Sequence, residues 1–296
     1  MKRKRRQALQ GVIYVLPSFV LILCFCLIPI CMSAYFSFTD YDVMTPPRFA
    51  GVSNYVKMFK DTYFVAAAKN TLFYVAVTVP FQTVISLSFA AFLAQKMSHL
   101  KAGNFLRSVM FIPVIASAVT AGTIWRIIFA TDGGFLNRIL GIIGVAPVNW
   151  LGSREFALLS ICIVAIWKNV GYFLVIYYAG IMNISKDLYE AAQVDGASQM
   201  QQFTQITLPL LKPITYLVVT LGIIWSFQAF DLSYQMTGGG PGNSSVTLVM
   251  SIYNSAFKQY RMGYACATAM FLLVVIVIVN LLEDVFFKDR SEKKGA

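Results

Sequence analysis

The chain is poor in charged residues. Asp, Glu, Lys and Arg together make up 12% of its 296 residues, which is about half of the roughly 25% found in an average soluble domain. Apolar residues reach 58%. So little charge cannot cover a water-exposed surface, and so much apolar area needs lipid around it. The composition therefore excludes a soluble enzyme and a disordered chain, and it predicts a membrane protein.

Residues that build metal sites, disulfide frameworks and phosphate cradles are also scarce. His99 is the only histidine, which excludes a site made of several imidazoles. The five cysteines are odd in number, lie in apolar runs and form no CxxC pair, so we interpret them as small hydrophobic residues. No GxxxxGK[ST] occurs, so the chain does not bind ATP through a P-loop. We expect no catalytic residue, no metal site and no cofactor in this chain.

Six stretches are long and apolar enough for a membrane-spanning helix, which needs about 20 apolar residues. They are 12–38, 70–95, 108–131, 156–183, 212–235 and 262–282. This pattern predicts an all-α polytopic membrane protein with six transmembrane helices. The basic start followed by an apolar run also resembles a signal peptide, but the run is too long and no clear A-x-A site follows it. We therefore predict that the first helix is retained.

The positions of the basic residues predict the orientation in the membrane. Five of the first six residues are Lys or Arg. With the N-terminus inside, 14 of the 24 Lys and Arg lie on the cytoplasmic side, 9 lie outside, and Lys168 lies within the membrane. This predicts a cytoplasmic N-terminus (1–11) and a cytoplasmic tail (286–296) around a six-span domain (12–285). The net charge of +11 is then an orientation signal and not a footprint of nucleic-acid binding.

The loop between the fourth and fifth stretches, 184–209, carries signals for two short helices. Ser185 can cap the first helix, and Gly196 fits a left-handed helix end. Ser198 with Gln201 matches a capping box, so a second helix starts at once. Taken alone, these signals fit an amphipathic connector as well as a hairpin that binds a partner.

A longer motif runs through the same loop. Residues 190–209 match EAAxxDGAxxxxxFxxIxLP at every defined position. This pattern resembles the EAA loop of integral-membrane permease subunits of binding-protein-dependent ABC importers. FxGxxNY at 49–55 and GGP at 239–241 resemble motifs of the sugar-importer branch, in particular maltose-transporter-type permeases of the first, F-like kind. The chain lacks the large outer insertion of some maltose permeases, so the smaller multiple-sugar and glycerol-phosphate permeases fit better.

The resemblance implies a type I ABC importer permease fold in the bacterial cytoplasmic membrane. The chain would form half of a translocation pore for a mono-, di- or oligosaccharide. Its partners would be a second, related permease in a heterodimer, a cytoplasmic ATPase dimer that binds ATP and Mg²⁺, an extracytoplasmic solute-binding protein and the lipid bilayer, with no nucleic acid. The contact with the ATPase would involve Glu190, Ala191, Ala192, Asp195 and Gly196.

Two faces of the fourth and fifth stretches combine polar, small and aromatic residues, as a sugar-binding wall requires. Lys168 is ionisable within a membrane span, a placement that is costly and usually functional. The candidate substrate-binding residues are Lys168, Asn169, Tyr172, Gly222, Trp225, Ser226 and Ala229. Gln228 and Asp231 are weaker candidates. The alternative is plain helix packing, with Lys168 paired to a carboxylate or a carbonyl across the subunit interface.

Two other classes compete with an importer subunit. A secondary transporter or channel for a small polar solute needs membrane-buried carboxylates or inverted repeats. An intramembrane enzyme needs acid–base or nucleophilic residues clustered on facing helices. Asp231 is the only carboxylate near the core of a stretch, and no internal repeat is visible, so both classes are disfavoured.

Overall fold

The computed structural model describes residues 14–97 and 100–287. These residues are mostly helical, with one antiparallel pair of short strands, β1 (Thr39–Asp40) and β2 (Arg48–Phe49). The helical architecture confirms the predicted all-α class. The predictions for 1–11 and for 288–296, and the first two residues of the predicted stretch 12–38, lie outside the described residues.

Thirteen α-helical segments follow one another along the described residues. They are α1 (Tyr14–Ser37), α2 (Ser53–Lys60), α3 (Thr62–Lys96), α4 (Lys101–Ile115), α5 (Ala118–Ile128), α6 (Phe135–Ile142), α7 (Ala157–Met182), α8 (Lys186–Val194), α9 (Gln199–Leu210), α10 (Lys212–Phe227), α11 (Asp231–Thr237), α12 (Leu248–Tyr253) and α13 (Met262–Phe287). Within their described residues they form two compact units. Met1–Thr62 with Ser251–Leu273 make the first, and Tyr63–Met250 with Val274–Ala296 make the second.

Four of these helices, α1, α3, α7 and α13, are each long and apolar enough to cross a membrane. Two bent pairs qualify if each pair is counted as one span: α4 with α5, bent by 99°, and α9 with α10, bent by 67°. The part of the chain that the structure describes thus holds four to six candidate spans. The predicted stretch 108–131 is not one helix, and the predicted stretch 212–235 is divided between α10 and α11.

Local backbone chemistry explains the break between α4 and α5. Ala116 is extended, with φ −63° and ψ 135°, which ends α4. The next residue, Ser117, caps α5, because its Oγ accepts a hydrogen bond from Thr120 N at 3.1 Å. This cap satisfies one of the backbone donors that a new helix start leaves open. Neither residue interrupts the apolar run, so hydropathy alone predicts one continuous span.

A side-chain bond also supports the break after α10. This helix ends at Phe227, and α11 begins at Asp231. Between them, Ala229 O accepts a hydrogen bond of 2.7 Å from Thr247 Oγ1. A carbonyl freed from a helix needs such a partner when water is scarce.

In the second unit, α7 packs against α4, α5, α10 and α11. One apolar cluster surrounds Ile161 and Cys162, and another surrounds Phe173, Leu174 and Tyr177. All five of these α7 residues are buried. The neighbouring helices of this unit therefore all pack on α7.

In the first unit, the motif at 49–55 has a structural role. Asn54 is buried in α2, and its Nδ2 donates to Ser37 O at 3.0 Å and to Thr39 O at 2.8 Å. The hydroxyl of Tyr55 donates to Ser37 Oγ at 2.8 Å. The two side chains bind α2 to the end of α1 and to β1, which accounts for this part of the motif without a ligand.

The glycine-rich turn at 238–243 is also held in place. Gly238 and Gly239 have φ values of +62° and +89°, which L side chains adopt only with strain. Asn70 Nδ2 of α3 donates to Asn243 O at 2.8 Å. Ser245 Oγ donates to Gly240 O at 2.7 Å. The run is a hydrogen-bonded turn that is bound to α3.

We predict that Gly171→Ala destabilises the protein. A Cβ at Gly171 would overlap the backbone carbonyl of Met110 in α4, and overpacking of this kind costs roughly 1–3 kcal/mol of unfolding free energy. Gly141→Ala is the matched control, because Gly141 is also helical and a Cβ there meets nothing within 4 Å. Thermal unfolding in detergent should show a lower midpoint for Gly171→Ala alone. Equal midpoints for the two variants would contradict a backbone contact between α4 and α7.

Candidate functional site

The loop 184–209 folds into a hairpin of α8 and α9, here called the loop hairpin. Ser185 Oγ accepts a hydrogen bond from Asp187 N at 3.3 Å and caps α8. At the other end Gly196 has φ +78°. Gly196 N donates to Gln193 O at 3.0 Å and Ala197 N donates to Ala192 O at 2.8 Å. This pair of bonds is a Schellman motif, which confirms the left-handed helix end predicted at Gly196.

The second helix of the loop hairpin starts at once, as predicted. Ser198 and Gln201 form a capping box: Ser198 Oγ accepts from Gln201 N at 3.3 Å, and Gln201 Oε1 accepts from Ser198 N at 2.7 Å. The hydroxyl groups of Tyr189 and Thr207 share a hydrogen bond of 2.8 Å that joins α8 to α9. The loop hairpin is thus closed by its own side chains at both helix ends and across its middle.

The side chains at the tip of the loop hairpin face solvent. Of the five predicted contact residues, Ala192 is half-buried and the other four are exposed. Two neighbouring apolar residues were outside the prediction: Val194 and Met200, whose exposed fractions are 89% and 70%. Exposed apolar side chains beside small residues are typical of a surface that binds another protein. Apolar side chains among the small and polar residues of the tip were the signal that could have found them.

A cavity of about 420 Å³ opens in the second unit, and we call it the wall cavity. Five of the seven predicted substrate-binding residues line it, and so do both weaker candidates. The lining residues are Tyr74, Val114, Ala118, Ala165, Lys168, Asn169, Tyr172, Trp225, Gln228, Ala229, Phe230, Asp231 and Leu232. The structure therefore brings the two predicted helix faces together around one space. Tyr74, on α3, was outside the prediction.

Gly222 and Ser226 were predicted at the same wall, but they do not line it. Both are buried against α3. Ser226 Oγ shares a hydrogen bond of 3.0 Å with Thr78 Oγ1, and a Cβ at Gly222 would lie 2.5 Å from Gln82 Nε2. They occupy the side of α10 that packs on a helix, because a stripe at spacing i, i+3, i+4, i+7 is wide enough to face two neighbours.

Aromatic rings form one side of the wall cavity. The ring centroids of Tyr172 and Trp225 are 5.0 Å apart, and those of Phe173 and Trp225 are 5.5 Å apart. Trp225 remains 39% exposed. A ring that is held by two others and still open on one side can stack on an apolar face of a solute.

Polar groups complete the wall. Lys168 Nζ donates to Val114 O of the same chain at 3.3 Å. Asn169 Nδ2 donates to Gln82 Oε1 at 3.2 Å. Gln228 and Asp231 are exposed at the cavity. Among the described residues, no group of three or more His, Cys, Asp or Glu is placed to hold a metal ion.

The loop hairpin and the wall cavity are connected by two continuous helices. Asn169 lies thirteen residues before the end of α7, and Trp225 lies thirteen residues after the start of α10. At 1.5 Å per residue this is about 20 Å along each helix. The loop hairpin thus joins the two helices whose faces line the cavity.

The sequence has relatives along nearly its whole length. Residues 1–291 match the family described as binding-protein-dependent transport system inner membrane component. The chain is 34% identical over 284 residues to the probable ABC transporter permease protein YurN of Bacillus subtilis (strain 168), covering 95% of this chain and 97% of that protein. It is 33% identical over 282 residues to the trehalose/maltose transport system permease protein MalF of Thermococcus litoralis, covering 94% and 93%.

The fold also matches a crystal structure of a bacterial ABC transporter involved in the import of the acidic polysaccharide alginate. The TM-score is 0.84 with 24% identity, over 97% of each chain. At that identity the likeness concerns the fold, and it confirms the predicted ABC importer permease architecture. The family match confirms the resemblance carried by the EAA motif. It favours a component of a binding-protein-dependent transport system over a secondary transporter or channel and over an intramembrane enzyme. The chain belongs to the family of inner membrane components of binding-protein-dependent transport systems.

Proposed function

We propose that the chain is the permease subunit of an ATP-driven importer of a sugar, and that it forms half of the translocation pore. The observation that carries the proposal is the wall cavity, in which an aromatic platform stands beside amide, ammonium and carboxylate groups. A sugar presents an apolar ring face and many hydroxyl groups, and such a wall matches both. The relative whose name specifies trehalose and maltose transport supports a sugar of this kind.

The loop hairpin is the proposed contact with a cytoplasmic ATPase. Glu190, Ala191, Ala192, Asp195 and Gly196 form the contact, and the exposed Val194 and Met200 enlarge it. Closure of the ATPase displaces the hairpin, and α7 and α10 carry this displacement to the wall cavity. Rigid helices that move as bodies are a common way to alternate access to a central site. ATP and Mg²⁺ belong to the ATPase in this scheme, and this chain holds no cofactor.

The proposed assembly has further members. A second, related permease forms the other half of the pore, two ATPase copies act from the cytoplasm, and a solute-binding protein delivers the sugar from outside. Both termini of this chain lie in the cytoplasm, with the basic cluster at 2–6 as the orientation signal.

The direct test is a screen of solutes on the purified, assembled complex. Maltose, trehalose and lactose, each delivered by the binding protein, should stimulate the ATPase, and at least one should do so several-fold. Amino acids and metal ions serve as the comparison set. Stimulation by amino acids or metal ions alone would overturn the sugar assignment.

We predict that Gly196→Asp abolishes transport while the protein still inserts at the normal level. An aspartate at φ +78° strains the hairpin tip and adds a charge to the proposed ATPase contact. Gly144→Asp is the matched control, because Gly144 has φ +80°, open space around it and no place in the hairpin. Sugar uptake and membrane level are measured together. Normal uptake by Gly196→Asp at wild-type membrane levels would contradict the coupling role.

We predict that Trp225→Ala lowers sugar uptake at least tenfold, because the wall cavity loses its stacking ring. Trp167→Ala is the control: Trp167 is 40% exposed, almost the same as Trp225 at 39%, and it does not line the cavity. Uptake of maltose or trehalose by whole cells, normalised to membrane level, distinguishes the two. Similar losses in both variants would indicate a general packing defect and not a binding wall.

A further inference from the structure

Gln82 is a buried amide with no direct place in the wall cavity. It lies in α3 within the uncharged stretch 70–95, and its exposed fraction is 0%. Burying a side-chain amide costs free energy unless its polar atoms are paired. Its Nε2 has no hydrogen-bond partner among the described residues. Burying this amide therefore costs free energy that an apolar side chain of similar size at the same position would not cost.

Gln82 Oε1 accepts a hydrogen bond from a residue that lines the wall cavity. Asn169 Nδ2 donates to Gln82 Oε1 at 3.2 Å, and Asn169 lines the wall cavity. A carboxamide has a donating end and an accepting end. Because one N–H of Asn169 is bound to Gln82, the carboxamide is held in one orientation, in which its Oδ1 can accept a hydrogen bond from a solute.

Gly222 makes the room for this arrangement. A Cβ at Gly222 would lie 2.5 Å from Gln82 Nε2, and its other neighbours there, the methyl groups of Val79, are 3.6 and 3.7 Å away. The glycine therefore leaves space for the end of the Gln82 amide. Three helices contribute one residue each: α3 gives Gln82, α7 gives Asn169 and α10 gives Gly222.

We propose that Gln82 is a positioning residue, which holds the Asn169 carboxamide with its oxygen directed into the wall cavity. Asn169 Oδ1 then accepts a hydrogen bond from one hydroxyl of the transported sugar. This inference rests on the proposed sugar transport and adds to it the chemistry of one contact. Gln82 thereby sets the orientation of the carboxamide at that position without touching the solute.

The test compares maltose with a set of monodeoxy maltoses, each lacking one hydroxyl, in the reconstituted complex with saturating binding protein. For each permease variant, the rate of maltose uptake is divided by the rate of uptake of each analogue, which gives one ratio for each hydroxyl. The contribution of the binding protein is the same in every variant, so changes in a ratio report the permease. In the wild type, loss of the hydroxyl bound by Asn169 should lower uptake about 2- to 12-fold, the range expected for one hydrogen bond.

Gln82→Met should bring that one ratio close to 1 and leave the ratios for the other hydroxyls unchanged, because it frees the Asn169 amide to rotate. Gln82→Glu should restore the wild-type ratio, since a neutral buried carboxylic acid keeps the accepting oxygen. Gly222→Ala should change the same ratio in the same direction as Gln82→Met, by displacing the amide. Asn169→Ala should remove the discrimination, and Gln82→Met should have no further effect in that background.

Thr78→Val is the matched control. Thr78 lies one helical turn before Gln82, and its hydroxyl bonds Tyr74 O of α3 and Ser226 Oγ of α10. This variant should leave every ratio unchanged. A ratio that changes equally in Thr78→Val and Gln82→Met would overturn the positioning role, as would a uniform loss for maltose and all its analogues. If the wild-type complex transports no sugar, the proposed function fails. If it transports maltose and Gln82→Met keeps every ratio, only the positioning role fails.

Discussion

The backbone contact at Gly171 lets α4 lie directly against α7. The arrangement of the second unit depends on how closely its other helices approach α7. A membrane provides no gain from moving apolar side chains out of water, so helix association there relies on close packing and on hydrogen bonds between helices. α7 supplies both. It offers Gly171 to α4, apolar side chains to α5 and α11, and Asn169 to α3. The wall cavity is the space left where this packing is incomplete.

Much of the fold could be predicted from the sequence because lipid imposes a simple rule on it. A run of about 20 apolar residues has few alternatives to a helix when the backbone must satisfy its own hydrogen bonds. Thus α7 spans Ala157–Met182 where 156–183 was predicted, and α13 begins at Met262 as predicted and continues to Phe287. The breaks at Ala116 and after Phe227 do not follow from hydropathy, because they depend on one extended residue, a serine cap and a distant threonine. Such features are visible only when the neighbouring helices are in place.

The candidate site was predictable to a similar depth. Helical spacing identifies which residues share a face, and it selected Lys168, Asn169, Tyr172, Trp225 and Ala229 at the wall. It does not say which part of a face meets a cavity and which part meets another helix, and this is why Gly222 and Ser226 were assigned to the wall. Gln82 was outside the prediction because it carries no charge, although an amide in a membrane span also forms specific hydrogen bonds between helices.

The loop hairpin is held together by its own caps and by the bond between Tyr189 and Thr207, and no residue of α8 is buried. A segment built in this way is modular. Its tip residues are exposed and lie outside the packing of α3, α7 and α10, so on the proposed function the choice of a partner protein and the choice of a solute are encoded in separable parts of the chain. Duplicated permeases can then diverge in solute while they share one ATPase, and they can also change the ATPase while they keep their solute.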